Sequence, residues 1–570
     1  MADPPEPNLI AMSDLPPRQD ERPEQSDALT STLHQCARDG DEESLLILLT
    51  HLGDRVKRMI NKWDDNKMTP LHYAARYNHF KIAEILVKNG ASVDHRGDDN
   101  QTALHFAAKY RKTQTAANNN SGDSDTEDQP VMQDGSTKDV VDLSTHRVKP
   151  DNLIAFLIRK RADPNARDNY GSTPLHFAAM RGNETALLDL LCMPDVNIKA
   201  VDRQKMTALH LAATHTNKEC CRLLILKGAD LRAADNEHVT PLHMAATEGN
   251  TDVVRMFLEK VETKTQDANK MWTDVDYEGN TALHLAVENG HYEVVKICLE
   301  KSEYANVNTP RQNNVTPLHL AATSGDIRIV KKLVEHKARI NVLDSNQATP
   351  LHRATAYNHE EVIEYLVKKG AKLERADKDN FTPLLIAASN GHVASLKMLI
   401  HLGANISVTD KNERTALHWA AEENNPDIIT ALLKTPGGSD LLDANDMYGK
   451  APLHVAAQKG YIECVKVLLE FEADISDKTD EEQTPLHLAA QSGMTHIVKL
   501  LTKTDKTIIK DYDEDSNTPL HLAALEGHSK VAVVLLEAGA DIAAKNYLLW
   551  TPIDCAAAKG RTKMIKCLWI

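Results

Sequence analysis

One short motif returns along almost the whole chain and constrains its fold more than any other feature. The motif reads Thr-Pro/Ala-Leu-His-x-Ala, and most neighbouring copies lie 33, 34 or 35 residues apart. A motif with such a period indicates an array of similar structural units rather than one globular core. Its threonine stands at Thr69, Thr102, Thr173, Thr207, Thr240, Thr281, Thr316, Thr349, Thr382, Thr415, Thr484, Thr518 and Thr551. Lys450 is assigned the same place before Ala451-Pro452-Leu453-His454, and Thr32-Leu33-His34 is a degenerate first copy.

The residues of a single copy predict a pair of helices. In the copy at Thr316, the threonine can cap a helix, and Pro317 suits the first helical turn. Gly325 is placed to end that helix. A second helix is predicted by the apolar stripe Ile329, Val330, Leu333 and Val334. One such pair cannot bury its apolar face alone, whereas stacked pairs can.

The period and the motif together resemble the ankyrin repeat. The resemblance covers about residues 31–570, or some fifteen copies. It implies an all-α ankyrin-repeat solenoid of about fifteen helix-turn-helix repeats with β-turn fingers. Such arrays are binding modules, and we therefore expect no enzyme activity and no catalytic residues.

Two segments fall outside the repeat pattern and divide the chain. Residues 1–30 carry seven acids and two bases and are rich in proline, which predicts a disordered N-terminal tail. The spacing from Thr102 to Thr173 is 71 residues, and residues 113–148 within it again carry seven acids and two bases. We interpret 113–148 as a disordered acidic insertion within one repeat. Ankyrin repeats are then predicted over 31–112 and 149–570.

Charge, apolar runs and cysteines exclude several classes of function. A formal net charge of −16 argues against a nucleic-acid partner or an anionic membrane surface. No segment approaches the roughly 20 apolar residues that cross a bilayer, so we expect no membrane insertion by this chain. Eight cysteines without C-x-x-C spacing suit buried thiols in a reducing cytosol rather than disulfides or zinc.

Neither the histidines nor one acidic stretch predicts a metal site or a cofactor. The motif places one histidine per repeat, which indicates a structural hydrogen-bonding role spread along the array. The stretch from Asp511 to Asn517 resembles the start of a calcium loop. However, Ser516 stands where glycine is required and Leu522 where a bidentate glutamate is required.

The acidic insertion contains hydroxyl groups that an acidophilic kinase could modify. Ser121, Ser124 and Thr126 lie among Asp123, Asp125, Glu127 and Asp128. The alternative interpretation is a solvated spacer without modification. A phosphate would add to existing negative charge, so its expected effect is to create a docking site for a basic partner.

Several individual repeats resemble those of the TRPA subfamily of transient receptor potential cation channels. The features that carry the likeness are the segment 351–356, the segment 382–387 with Leu385 in place of the usual histidine, the segment 281–290 with 295–299, and the segment 513–518 with 526–528. The likeness spans roughly residues 240–550. It implies the cytoplasmic array of a subunit in a non-selective, calcium-permeable sensory channel that works as a homotetramer. The family's pore follows the repeats, so a chain that stops at Ile570 would be a fragment or a truncated form.

Two functions remain open at this point. The first is a sensory or regulatory module of such a channel, which would lie in the cytoplasm at the inner face of the plasma membrane. The second is a free cytosolic scaffold for protein–protein interaction. In both cases the expected partners are other proteins, with channel subunits expected in the first. Exposed residues in the turns and on the first helices usually bind partners in such arrays. None of the family's reactive cysteines can be matched to a residue of this chain.

Overall fold

The computed structural model describes residues 28–110, 152–261, 270–301 and 305–569. The chain divides into two compact units, Met1–Asn236 and Glu237–Ile570. Within each unit, the repeated element is a short first helix that starts at the recurring motif, followed by a second helix. Apart from one isolated bridge between Val201 and Thr207, the described residues form no β-structure. The predicted all-helical repeat array is confirmed.

The first unit contains five helix pairs. The first helices are Ala28–Asp39, Pro70–Arg76, Ala103–Lys109, Pro174–Met180 and Ala208–Thr214. The second helices are Glu42–Leu52, Phe80–Lys88, Leu153–Arg159, Glu184–Leu191 and Lys218–Leu226. A further short helix is Val56–Met59, and single 3₁₀ turns lie at Gly53–Arg55 and Asp98–Asn100.

The described part of the second unit contains ten helix pairs. The first helices are Pro241–Thr247, Ala282–Glu288, Pro317–Ser324, Pro350–Ala356, Pro383–Ser389, Ala416–Glu422, Pro452–Lys459, Pro485–Gln491, Pro519–Glu526 and Pro552–Ala558. The second helices are Thr251–Val261, Tyr292–Lys301, Ile327–Glu335, Glu360–Lys368, Val393–His401, Pro426–Leu433, Ile462–Glu470, Thr495–Thr504, Ser529–Ala538 and Thr562–Leu568. 3₁₀ turns lie at Gln312–Asn314, Gly438–Leu441 and Thr507–Lys510.

In the copy at Thr316, the first helix starts and ends at the residues predicted from the sequence. Thr316 is the N-cap residue, Pro317 follows it at the first helical position, and Gly325 ends the helix in the left-handed conformation at φ 77°. One assignment was wrong by a residue. Ala451, rather than Lys450, is the N-cap of Pro452–Lys459, so this repeat lacks the capping hydroxyl.

Small residues on the first helices and branched residues on the second form the core. Ala321 and Ala322 are fully buried, which lets neighbouring first helices approach closely. Ile329, Val330 and Leu333 on the following helix are also fully buried. First helices of successive repeats pack on each other, as Pro317–Ser324 does on Pro350–Ala356. Each repeat therefore completes the core of its neighbours.

One helix pair in the first unit is built from segments far apart in the chain. Ala103–Lys109 packs against Leu153–Arg159, which in turn packs against Glu184–Leu191. Asn152 caps the second of these helices by accepting a hydrogen bond from the Ala155 N–H. The intervening residues 111–151, which include the predicted insertion 113–148, lie outside the described residues, as do residues 1–27 of the predicted tail.

Within the described ranges, no helix is both long enough and apolar enough to span a lipid bilayer.

Candidate protein-interaction surface

In most repeats the recurring histidine closes the start of the first helix together with the recurring threonine. In the copy at Thr316, the backbone N–H of the threonine donates to His319 Nδ1 at 3.2 Å, and the threonine Oγ1 lies 3.0 Å from the same nitrogen. Because Nδ1 accepts these bonds, its partner nitrogen Nε2 carries the proton. The pair forms a capping box, with histidine in the place where glutamate or glutamine is commonly found.

In most repeats the second ring nitrogen ties the repeat to the next one. His319 Nε2 lies 3.1 Å from the carbonyl oxygen of Ala348, the residue just before the next motif threonine. The same bond joins His105 to Ser172, His176 to Met206, His243 to Asn280, His352 to Phe381, His418 to Lys450, His454 to Gln483, His487 to Asn517 and His521 to Trp550. The structural hydrogen-bonding role predicted for these histidines is confirmed.

Burial keeps these rings neutral. Desolvation lowers the pKa of His105, His319 and His487 to about 4, although backbone hydrogen bonds from Nε2 oppose the shift. A neutral ring with both nitrogens occupied has no free lone pair for a metal ion. Among the described residues, no three His, Cys, Asp or Glu side chains gather closely enough to hold one.

The turn before a first helix is here called the finger, and in most repeats a recurring aspartate shapes it. In the finger of Asp344, Oδ1 accepts hydrogen bonds from the N–H groups of Asn346 and Ala348, at 2.8 and 3.0 Å. Residues with the same bonding are Asp64, Asp168, Asp202, Asp276, Asp377, Asp410, Asp446 and Asn546. This hydrogen-bonding role was not predicted from the sequence, although an acidic or amide residue recurs five positions before the motif threonine.

Neighbouring finger tips are joined by backbone hydrogen bonds. The N–H of Gln312 donates to Glu278 O, that of Ser345 to Asn313 O, and that of Lys378 to Asn346 O. Side chains add to this bonding, as when Lys378 Nζ donates to Asn346 Oδ1 at 2.7 Å. Tyr277, Tyr448 and Tyr547 are exposed large aromatic side chains at such tips.

A cleft lies between fingers and first helices in the second unit. Tyr448, Lys450 and Gln458 line two adjoining pockets, the larger of about 260 Å³. Lys450 Nζ donates to Gln458 Oε1 at 3.0 Å, and Tyr448 is 59% exposed. The rest of the lining includes Gln483, Gln491, Glu422 and Arg414. Amides and an open aromatic ring suit recognition of a polypeptide rather than catalysis.

Next to this cleft, three side chains form a preorganised cluster. The Arg414 guanidinium lies 3.8 Å from the ring centre of Trp419 and pairs with Asp410 at 2.9 Å. Trp419 Nε1 donates to the same carboxylate, and its ring packs against Phe381. Such a stacked, paired arginine loses little conformational entropy on contact with a partner.

The other residues singled out in the sequence are the hydroxyl groups of the acidic insertion and the stretch that resembles a calcium loop. Ser121, Ser124 and Thr126 lie outside the described residues. Asp513 belongs to a finger, and its two carboxylate oxygens accept hydrogen bonds from the backbone and side-chain N–H groups of Asn517.

Six of the eight cysteines are buried, and Cys192 and Cys567 are partly buried. Burial raises the pKa of Cys298 to about 12, which keeps that thiol protonated.

The family model described as "Ankyrin repeats (3 copies)" matches seven overlapping stretches of the chain, at residues 33–117, 146–235, 187–269, 226–311, 318–410, 384–479 and 472–546. The chain belongs to the ankyrin-repeat family. Ankyrin repeats are non-catalytic domains that mediate protein–protein interactions.

The ankyrin-repeat chain is also similar to several curated proteins over part of its length. It is 30% identical over 165 residues to a transient receptor potential cation channel subfamily A member 1 homolog of Caenorhabditis elegans, covering 29% of this chain and 12% of that protein. It is 38% identical over 82 residues to the transient receptor potential channel pyrexia of Drosophila melanogaster, covering 14% and 8%. It is 26% identical over 193 residues to human Rabankyrin-5, covering 32% and 16%. The matches thus span only a small part of these relatives.

Proposed function

We propose that this array is the sensory or regulatory module of a TRPA-like, calcium-permeable, non-selective cation channel. The observation that carries the proposal is the similarity to two transient receptor potential channels, one of them from subfamily A. The individual repeats around Arg353 and Leu385 point the same way. The proposed partners are channel subunits in a homotetramer, and the proposed location is cytoplasmic, at the inner face of the plasma membrane.

The second proposal is a free cytosolic scaffold for other proteins. The similarity to Rabankyrin-5, a protein whose name does not describe a channel, supports this alternative. Reading the transcript downstream of the codon for Ile570 separates the two proposals. A following set of apolar spans supports the channel module, whereas a stop codon without any transcript that continues into such spans supports the scaffold.

A functional test uses a full-length channel from the same source. We expect the array to co-precipitate with it and to change whole-cell current amplitude or surface abundance, because contacts in a tetramer are multivalent. An array with its repeats in scrambled order is the control. If the native array does no more than the scrambled one, the channel proposal fails and the scaffold proposal leads.

We further propose that Ser121, Ser124 and Thr126 are substrates of an acidophilic kinase. Support comes from the acids that surround them in the sequence. Mass spectrometry of protein from its native cells should find phosphate on at least one of the three. A chain fully unmodified under kinase stimulation, with a known acidophilic substrate modified in the same sample, would favour the plain spacer.

A further inference from the structure

Three cations follow one another along the first helices of the first unit. Arg76 ends Pro70–Arg76, Lys109 ends Ala103–Lys109, and Arg181 follows Pro174–Met180. These helices pack side by side in that order. Arg76 and Arg181 are exposed and Lys109 is half-buried. Among the described residues, none of the three forms an ion pair, and we call them the basic strip.

Aromatic side chains lie beneath the basic strip. Tyr73, Phe106 and Phe177 occupy the same position on the three helices and are almost fully buried. Lys109 Nζ lies 4.3 Å from the ring centre of Phe177 and 5.4 Å from that of Phe106. The ammonium group also donates to Gln101 Oε1 at 2.9 Å. The ring faces hold the cation in place without neutralising its charge.

The local field disfavours this positive charge. Burial lowers the pKa of Lys109, and the charges of Arg181 and Arg76 lower it further, while Asp168 and Asp99 oppose the shift. A ligand that brings negative charge would therefore stabilise the ammonium group and the two guanidinium groups together. Arginine side chains also pair with carboxylates in a two-pronged geometry.

Beside the basic strip lies a buried acceptor without a donor. Asp168 is 5% exposed; its Oδ1 accepts hydrogen bonds from Tyr170 and Ser172, but its Oδ2 has no partner among the described residues. In three other fingers the residue nine positions later supplies that donor. The examples are Tyr73 for Asp64, Arg353 for Asp344 and Trp419 for Asp410. Here the residue nine positions later is Phe177, which has no donor.

We propose that the basic strip binds an acidic segment of a partner protein in extended conformation. Carboxylates of the segment pair with Arg76, Lys109 and Arg181, and a local shift of the covering side chains lets one of its backbone N–H groups donate to the enclosed Asp168 Oδ2. Packed helices lie roughly 10 Å apart, and an extended polyproline II segment rises about 3.1 Å per residue and returns to the same face every third residue. Consecutive acids should therefore stand about three residues apart in the bound segment.

This occupant fits the charges better than the alternatives do. A polypeptide supplies both carboxylates and N–H donors, whereas a free anion supplies no N–H donor for Asp168. The chain has a formal net charge of −16, which repels nucleic acid and acidic peptide alike, so the attraction must come from the basic strip itself. Its own acidic residues 113–148 follow Lys109 closely in sequence, and the test must separate them from a partner.

The probe is a fluorescent peptide of about nine residues with glutamate at every third position and proline or alanine between, chosen to favour the polyproline II conformation. Fluorescence anisotropy is measured on the full chain. We expect saturable binding that weakens as salt is raised. The same peptide with glutamine in place of glutamate should bind at least tenfold more weakly, as should a peptide whose three glutamates are adjacent.

The variants test the site itself. Arg76→Gln with Arg181→Gln should weaken binding of the glutamate peptide roughly tenfold, because two charge-assisted contacts are lost. Lys57→Gln with Arg58→Gln is the matched control, since it removes two exposed cations elsewhere in the same unit. All four positions are exposed, so melting temperatures should stay unchanged. Equal weakening in both pairs would overturn the proposal.

A third variant tests the hydrogen bond to Asp168 Oδ2 separately from the charge of the basic strip. Asp168→Asn keeps Oδ1 as the acceptor of the finger, as Asn546 does naturally, but removes the acceptor Oδ2. We expect weaker peptide binding, although the variant makes the strip more positive. Tighter binding would overturn the proposal as stated, because attraction between charges alone would then explain the affinity.

Deletion of residues 113–148 distinguishes the two acidic occupants. We expect the full chain and the deleted chain to bind the peptide within about threefold of each other. Binding seen only after deletion would mean that the chain's own acidic residues occupy the strip, and would overturn the assignment to a partner.

Discussion

At the scale of single residues, the motif histidine links the start of its own helix to the next repeat. Its two ring nitrogens bond to the capping threonine and to a carbonyl of the following finger. The link through Nδ1, which accepts a hydrogen bond from the threonine N–H, requires the neutral ring, so a titratable group lies in almost every interface between repeats. Leu385 and Asp554 stand at the histidine position in two repeats, so the fold tolerates losing this link at isolated places.

This arrangement predicts a loss of stability on acidification. In the folded chain the pKa of His319 is about 4, whereas an unfolded histidine titrates near 6.5. The unfolded state therefore binds protons first, and stability is lost as pH falls from about 6.5 to 4. His319→Leu should reduce the difference in unfolding free energy between pH 7 and pH 5 by about 2 kcal/mol.

Chemical denaturation of both chains at the two pH values measures this change. Leu385→Met is the control, because it introduces no titratable group at the same helix position. An acid dependence that is identical in His319→Leu and the parent chain would contradict the linkage.

A second residue-scale prediction concerns the core of one repeat. Leu351 is 0% exposed, as predicted from its place in the motif. Leu351→Asp would bury an unpaired charge and should destabilise its repeat by roughly 3–5 kcal/mol. Hydrogen exchange should show the damage centred on Pro350–Ala356 and the two first helices packed on it. Tyr357→Asp, at a site 54% exposed, should change stability by less than about 0.5 kcal/mol. Equal protection of these helices from hydrogen exchange in the parent chain and in Leu351→Asp would show that Leu351 is wrongly placed within the repeat.

At the scale of elements, the fingers carry most of the variation between repeats. Their shape comes from an aspartate at the first position and a left-handed residue at the fourth, as in Asp446 and Gly449. Glycine adopts this conformation without strain, yet most fingers place another residue there. The tips therefore differ in side chain while keeping one backbone geometry, which suits a surface that selects partners.

The last finger stores strain that a substitution can remove. Leu549 has φ 60° and is 72% exposed, so its side chain contributes little packing. Leu549→Gly should stabilise this finger by about 0.5–1 kcal/mol, because glycine has no Cβ to clash in that region. Slower hydrogen exchange of the backbone amides of Tyr547 and Trp550 would show the gain in stability. Leu548→Gly, where φ is not positive, should give no such gain; a gain of equal size there would contradict the strain argument.

At the scale of the whole molecule, one repeat of the first unit is assembled across a long sequence gap. Its two helices are separated by residues 111–151 and still pack together. We propose that 113–148 is an insertion looping out of the array. Its acidic, hydroxyl-rich composition places it among the segments that proteases reach first.

Limited proteolysis tests this arrangement. First cleavage should fall within 113–148, and the two fragments should co-elute in size-exclusion chromatography, because Ala103–Lys109 and Leu153–Arg159 remain packed. Mass spectrometry of early fragments locates the cuts, and a chain lacking 113–148 is the control that should resist them. First cuts within 316–450 would contradict the placement of the insertion.

The repeat period, the helix starts and the buried stripes could be derived from the sequence, because each depends on contacts within one repeat or with an identical neighbour. The motif at Thr316 already specifies its cap, its proline and its glycine stop. The clefts around Tyr448 and the partnerless oxygen of Asp168 could not be derived in this way. They depend on which side chains successive repeats bring together, as when Phe177 replaces a donor and Lys109 lies between two rings. Only the packing between repeats decides which side chains become neighbours, because repeats that differ in their exposed residues share the same backbone fold.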